Sequence, residues 1–132
     1  MARARILVID DDEKARRLMQ ITLASKDYAV IMAEDGQEGV ELAIQEGPDL
    51  IILDVMMPGM DGFETCERLK GDERTKGIPV IMLTATYDLE LTKKAFGRGV
   101  AMCLTKPYRG EALVNAIEAT LAAKRRLARE RG

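Results

Sequence analysis

Four acidic residues in a row, Asp10-Asp11-Asp12-Glu13, follow the apolar run Ile6 to Ile9, and later apolar runs end in Asp54, in Thr84 and in Thr105-Lys106. In an open parallel sheet, ligands bind in the crevice beyond the carboxyl ends of the strands, so residues that terminate such runs are candidates for chemistry. If the first and third runs are neighbouring strands, the carboxylates of Asp10, Asp11 and Asp54 share one small volume. Like charges that close stay ionised together only beside a cation. Oxygen donors with no histidine or nearby thiolate select Mg²⁺, Mn²⁺ or Ca²⁺, and a partial set of protein ligands leaves room for water and a phosphate, as Mg²⁺ prefers. Lys106 adds a point positive charge and Thr84 a hydroxyl donor, both suited to phosphoryl oxygens. Asp54 is then the nucleophile, attacking phosphorus in line to give an aspartyl phosphate. Helix N-capping is the plainer reading for Asp10 and Asp12 taken alone. Packing alone does not account for acid, acid, hydroxyl and ammonium at four strand ends.

The elements that must position these groups are legible in the hydrophobic pattern. The run Ile6 to Ile9 precedes Ala15, Leu18, Met19 and Thr22, which fall on one helical face. The pair recurs as Tyr28 to Ala33 before a helix from about Gly36 to Gln45, and as Leu50 to Leu53 before a helix opening near Gly62. It recurs again as Pro79 to Leu83 before Leu89 to Phe96, and as Ala101 to Leu104 before a long helix carrying Leu113, Ile117 and Leu121. Strict alternation predicts a parallel sheet with helices on both faces, because parallel neighbours need crossover connections. The unbroken apolar runs Ile6 to Ile9, Leu50 to Leu53 and Val80 to Leu83 read as strands buried on both faces.

Composition narrows the chemistry further. The 132 residues amount to one domain, and 20 Lys and Arg against 22 Asp and Glu give a net charge of −2, which argues against direct binding of nucleic acid. The absence of histidine removes Ser-His-Asp and Cys-His nucleophiles, histidine metal sites and a phosphohistidine carried on this chain. Cys66 and Cys103 lie far apart without a Cys-x-x-Cys pattern, so a reducing cytoplasm fits and no disulfide framework is suggested. After Met1-Ala2-Arg3-Ala4-Arg5 only four apolar residues run before Asp10, too few for a signal peptide or a membrane span. Lys124, Arg125, Arg126, Arg129 and Arg131 crowd the end of the chain. They read as a solvated helix end, with a linker or docking surface as alternatives, and the expected division is a domain over 1–122 and a basic helical tail or start of a linker over 123–132.

Four stretches together resemble one family. Ile6 to Glu13, Asp54-Val55-Met56-Met57-Pro58-Gly59-Met60-Asp61-Gly62, Ile78 to Ala85 and Leu104-Thr105-Lys106-Pro107 are similar to the receiver domain of two-component response regulators, in order and over about residues 4 to 122. The resemblance implies the flavodoxin-like sheet of order 2-1-3-4-5, for which a receiver is a standard example. It implies Asp54 as phospho-acceptor, Asp11 as a direct Mg²⁺ ligand, Asp10 assisting through water, and the Met56 backbone carbonyl as a further metal ligand. Thr84 and Lys106 would contact the phosphoryl oxygens, and Pro107 would follow a cis bond. The implied partner is a sensor histidine kinase or a histidine phosphotransfer protein, which explains how the chain can lack histidine. A phosphorylation-dependent homodimer through the last helices is a further implied partner, and "enzyme" applies only to self-phosphorylation and dephosphorylation.

Two departures from the family pattern carry expectations. Cys103 stands three before Lys106, where receivers usually have an aromatic residue, so the response should run through packing around Leu91, Phe96 and Leu113 rather than through a turning ring. Met56 and Thr86 lack the amide or carboxylate that orients hydrolytic water in some relatives, so the phosphorylated state should be long-lived. Met57, Met60 and Met82 read as packing residues, Cys66 as a small buried hydrophobe, and Pro58, Gly59 and Gly62 as a turn after Asp54. A haloacid-dehalogenase-type hydrolase shares the spacing of Asp10 and Asp12, but Lys14 stands where that family has Thr or Val, and no cap region is present. A degenerate receiver would have lost an acid or the lysine. A flavin-binding module lacks its Ser/Thr-rich loop. Whether the domain stands alone or precedes an output domain such as a diguanylate cyclase stays open.

Overall fold

The computed structural model describes residues 3–56, 59–85 and 88–131; Met57, Pro58 and Thr86 lie outside the described residues. Strands and helices alternate from end to end: β1 (Arg5–Ile9), α1 (Glu13–Ala24), β2 (Ala29–Ala33), α2 (Gly36–Glu46), β3 (Leu50–Asp54), α3 (Gly62–Gly71), β4 (Val80–Thr84), α4 (Leu89–Gly97), β5 (Met102–Thr105) and α5 (Gly110–Arg131). The strands form one parallel sheet in the order β2-β1-β3-β4-β5. This is the flavodoxin-like order expected from the motifs. The sequence direction reverses across β1 and β3, and the crevice at that switch point receives whatever their carboxyl ends carry.

The apolar strand residues divide between two layers by simple alternation. Leu7, Ile9, Ile51, Leu53, Val80 and Met82 meet Val40 and Ala43 of α2, Phe63, Cys66 and Leu69 of α3, and Ala95 of α4. Ile6, Val8, Leu50, Ile52, Ile81 and Leu83 meet Met19 and Leu23 of α1, and Leu113, Ile117 and Leu121 of α5. Every residue of β3 and β4 is buried, as their unbroken apolar runs predict, whereas the edge strands β2 and β5 are only partly covered. Cys66 and Met82 are fully buried core residues. Met60 is partly buried and approaches Gly36.

In α1, the residues Ala15, Leu18, Met19 and Thr22 do share a face, but that face opens on a cleft beside Asp10 and Lys106. Of the four only Met19 joins the core, with Leu23 one turn on, while Leu18 is 65% exposed. The unit expected from Leu91, Phe96 and Leu113 is not one unit either. Leu91 packs against the layer of α2, α3 and α4, Leu113 lies in the layer of α1 and α5 across the sheet, and Phe96 is exposed. Helical periodicity identifies apolar faces without saying which side of the sheet each helix covers.

Four helices begin at an aspartate whose carboxylate accepts from a backbone N–H of the first turn: Asp12 from Lys14, Asp35 from Glu38, Asp61 from Glu64, and Asp88 from Glu90 and Leu91. Asp12 thus has the capping role, and Asp10 is left for something else. The stretch 71–77 folds back under α3, where the buried Thr75 hydroxyl donates to the Leu69 carbonyl and Lys70 Nζ donates to the carbonyls of Lys76 and Ile78. At the far end, α5 runs through residue 123 without interruption, and the side chains of residues 124–130 are exposed.

The turn after β3 depends on Gly62. A Cβ there would stand 2.6 Å from the Val55 Cα and 2.7 Å from the Asp54 carbonyl oxygen. Both are main-chain atoms of the segment that carries Asp54, so neither can rotate away. Gly62→Ala is expected to destabilise the protein by about 1–3 kcal/mol, read as a lowered urea midpoint. An unchanged midpoint would show that the β3–α3 segment is free to shift.

Candidate functional site

The site forms where β1, β3, β4 and β5 end. Asp10 follows the last residue of β1 and keeps one further ladder bond, its N–H donating to the Ala33 carbonyl at 3.2 Å. Asp54 closes β3, and one of its carboxylate oxygens accepts from the Met56 N–H at 3.3 Å. Thr84 closes β4, and its carbonyl accepts from the Lys106 N–H at 2.7 Å. That bond seats Lys106 beside Thr84, and the Lys106 ammonium reaches the second Asp54 oxygen at 3.2 Å. The Lys106–Pro107 bond is cis, as the resemblance implies.

Asp10, Asp11 and Asp54 each offer a carboxylate oxygen, and the three lie within 4.8 Å of one another. Asp10, Asp54 and Thr84 are buried, Asp11 is exposed, and Lys106 is partly exposed. Asp12, the second acid of the hydrolase-like spacing, is not in this group; it caps α1. The Met56 side chain is 69% exposed and takes no place among the carboxylates, so Met56 can contribute only through its backbone. All six residues singled out for chemistry thus sit at one end of the sheet.

The electrostatics betray an incomplete charge balance. The Asp10 carboxyl is pushed up to about 6, first by burial and then by the charges of Asp54 and Asp11, against the pull of the Asp12 N–H and of Lys106. The Tyr108 phenol, on the same side of the cleft, is also pushed up by burial and by Asp10 and Asp54. Three acids and one ammonium leave room for a hard divalent cation, and the donor set fits one: oxygen only, with one exposed acid facing solvent.

Two groups near the site carry no signal in sequence spacing. Arg16, one turn into α1, donates to the Asp10 carbonyl, and Tyr108 approaches Met19 with its hydroxyl 3.9 Å from the sulfur. An arginine among apolar helix positions reads as surface. Only the path of the β1–α1 loop shows that it turns inward.

Comparison with known proteins agrees with this geometry. Residues 6–118 match the family model of the response regulator receiver domain, and the chain belongs to that family. It is a receiver domain of two-component signalling. The chain is 45% identical over 117 residues to the DNA-binding dual master transcriptional regulator RpaA of Synechocystis, covering 89% of this chain and 48% of that protein. It is 41% identical to Protein PilH of Pseudomonas aeruginosa, covering 90% of this chain and 98% of that protein. Among solved structures, the chemotaxis protein CheY4 of Vibrio cholerae superposes with a TM-score of 0.86 at 32% identity, covering 90% of this chain and 99% of that one. The chain therefore spans about half of one relative and nearly the whole of another.

The raised Asp10 value has a measurable consequence for the metal-free protein. Its folded value of about 6 lies above the ordinary 3.8, so folding favours the protonated form. The penalty for the ionised form is fully present above about pH 6 and vanishes as the pH falls below about 4. Asp10→Asn keeps an oxygen to accept from the Asp12 N–H and removes the charge. It is expected to stabilise the protein by roughly 1–3 kcal/mol at pH 8 and to lose that advantage below about pH 4, measured by urea denaturation in the presence of a chelator. A stabilisation independent of pH would assign the effect to packing instead.

Proposed function

We propose that this receiver accepts a phosphoryl group on Asp54 from a phosphohistidine of a sensor histidine kinase or a histidine phosphotransfer protein. The observation that carries the reading is the pairing of Asp54 with Lys106 at 3.2 Å inside a three-carboxylate cluster. An Asp54 oxygen attacks phosphorus in line, the O–P bond forms, the donor's P–N bond breaks, and its electron pair leaves on the imidazole. The Lys106 ammonium transfers its pairing from the carboxylate to a phosphoryl oxygen, and the Thr84 hydroxyl donates to another. Attack by water on phosphorus later releases phosphate and restores the carboxylate, so catalysis is confined to the domain's own modification.

Asp10, Asp11, Asp54 and the Met56 carbonyl are the groups that would hold Mg²⁺, with Mn²⁺ or Ca²⁺ able to substitute. When bound, the cation supplies positive charge to oxygens that become more negative during transfer. A partner protein is supported by the cleft of about 510 Å³ beside the site, bordered by Leu18 and by Lys106, Pro107 and Tyr108, with Ile21 of the same helix also exposed. No helix among the described residues is long and apolar enough to cross a membrane, and a cytoplasmic setting is proposed with the kinase as partner. The net charge of −2 favours action through proteins rather than nucleic acid. The signalling unit is assigned to residues 1–122, with 123–132 as a basic tail or linker start. Phosphorylation-dependent pairing of copies through the last helices is assigned as one output.

The test is incubation with acetyl phosphate and Mg²⁺ followed by intact mass. Wild type should gain one phosphoryl group, Asp54→Asn none, and Asp11→Ala should need at least about tenfold more Mg²⁺. Undiminished labelling of Asp54→Asn would sink the assignment. A second expectation concerns lifetime: Met56→Asn and Thr86→Glu should each speed loss of the phosphoryl group, followed by phosphate release after acetyl phosphate is removed. If neither does, these positions do not govern hydrolysis.

A further inference from the structure

We infer that Arg16 is the positioning residue of the acidic loop: its guanidinium fixes the main chain at Asp10, which in turn holds the Asp11 carboxylate over Asp54. The inference rests on the reading of these carboxylates as a cation site and adds a support that lies outside the site itself. Arg16 and Arg17 are neighbours on α1 with opposite fates. The Arg17 side chain is 72% exposed in an i,i+4 pair with Glu13, whereas the Arg16 side chain is only 12% exposed. One arm of its guanidinium donates to the Asp10 carbonyl at 2.7 Å, and another lies 3.8 Å from Glu34 at the end of β2.

Three hydrogen bonds close a circuit around the loop. The Asp12 N–H donates to the Asp10 carboxylate at 2.9 Å, the Arg16 N–H donates to the Asp12 carbonyl at 3.0 Å, and the Arg16 guanidinium returns to the Asp10 carbonyl. Asp11 stands at the apex of this circuit, exposed, so its direction is set by the main chain on either side. Removing the guanidinium opens the circuit at its one charged donor. A lysine keeps the charge, but its single ammonium on a flexible stem lacks the planar, preorganised fork that holds the Asp10 carbonyl in one direction.

The two roles available to Arg16 have opposite signs. A guanidinium acting only as a charge near the acids opposes a second cation, so its removal would tighten Mg²⁺ binding. A guanidinium acting by positioning supports the cation's ligands, so its removal weakens binding. The experiment measures the dissociation constant by Mn²⁺ electron paramagnetic resonance with Mg²⁺ competition, and separately the rate of labelling by acetyl phosphate at saturating Mg²⁺. It compares wild type, Arg16→Lys, Arg16→Met, Glu34→Gln and Asp11→Ala. Both Arg16 variants are expected to weaken Mg²⁺ binding about tenfold, with little change in the saturated labelling rate. Glu34→Gln, which removes only an exposed partner, should stay within about twofold. Equal or tighter binding in both Arg16 variants, with wild type binding Mg²⁺ and Asp11→Ala impaired, would overturn this inference alone. Failure of wild type to bind any cation would overturn the site reading and this inference with it. Should Arg16→Met not fold, Arg16→Lys still separates the roles, since a retained charge alone predicts unchanged binding and lost positioning predicts weaker binding, and amide chemical shifts at Asp11 and Asp12 report whether the loop has moved.

Discussion

Bringing carboxylates together without enough positive charge to balance them is the constraint on which this molecule turns. Asp10, Asp11 and Asp54 each bring a carboxylate oxygen within 4.8 Å of the others, and the Lys106 ammonium pairs with Asp54 alone among the described ion pairs. No isolated loop would hold such an arrangement, because mutual repulsion would splay it open. Here the cost is met by a sheet whose two central strands, β3 and β4, are buried along their whole length. Ladder bonds extend to the edge of the site, with Asp10 bonded to Ala33, Val55 to Leu83 and Lys106 to Thr84. The rigid apolar interior therefore serves as an abutment for a polar end that is strained by its own charges.

Much of this was legible from the residues. The three unbroken apolar runs identify the buried strands because parallel sheets covered on both faces have no polar side to advertise. The acids and the lysine could be placed together because chain direction alone puts the ends of parallel strands on one edge. What sequence could not reveal were features that depend on how helices are dealt to the two faces. Leu91 and Leu113 look equivalent in periodicity yet lie on opposite sides of the sheet, and Leu18 looks like a core residue yet borders a cleft. Arg16 was invisible for a related reason: whether a long polar side chain turns in or out depends on a main-chain carbonyl several residues away.

Cys103 takes on a different meaning in this setting. It lies opposite Met82 in the β4–β5 register and packs against the layer formed with α2, α3 and α4. Across that layer, α4 is tied to α3 through Phe63, whose ring meets the Lys94 ammonium at 4.3 Å and the Arg98 guanidinium at 5.7 Å. Arg98 also pairs with Glu67, and its carbonyl accepts from the Cys66 thiol. The small side chain at 103 thus sits beside a helix held by charge on an aromatic face. Any shift of α4 away from α3 would have to break these cation–π contacts.

Gly110, the first residue of α5, lines the cleft next to Lys106, while Leu127 and Ala128 near its other end line a groove with Lys70 and Gly99 at the opposite edge of the sheet. Twenty-two helical residues in one unbroken element span about 33 Å. The helix is seated on the sheet through Leu113, Ile117 and Leu121. A tilt of a few degrees at the Lys106 end would carry its far end through roughly 2 Å. A helix of this length would turn a small change beside Lys106 into a larger displacement of its strongly basic end.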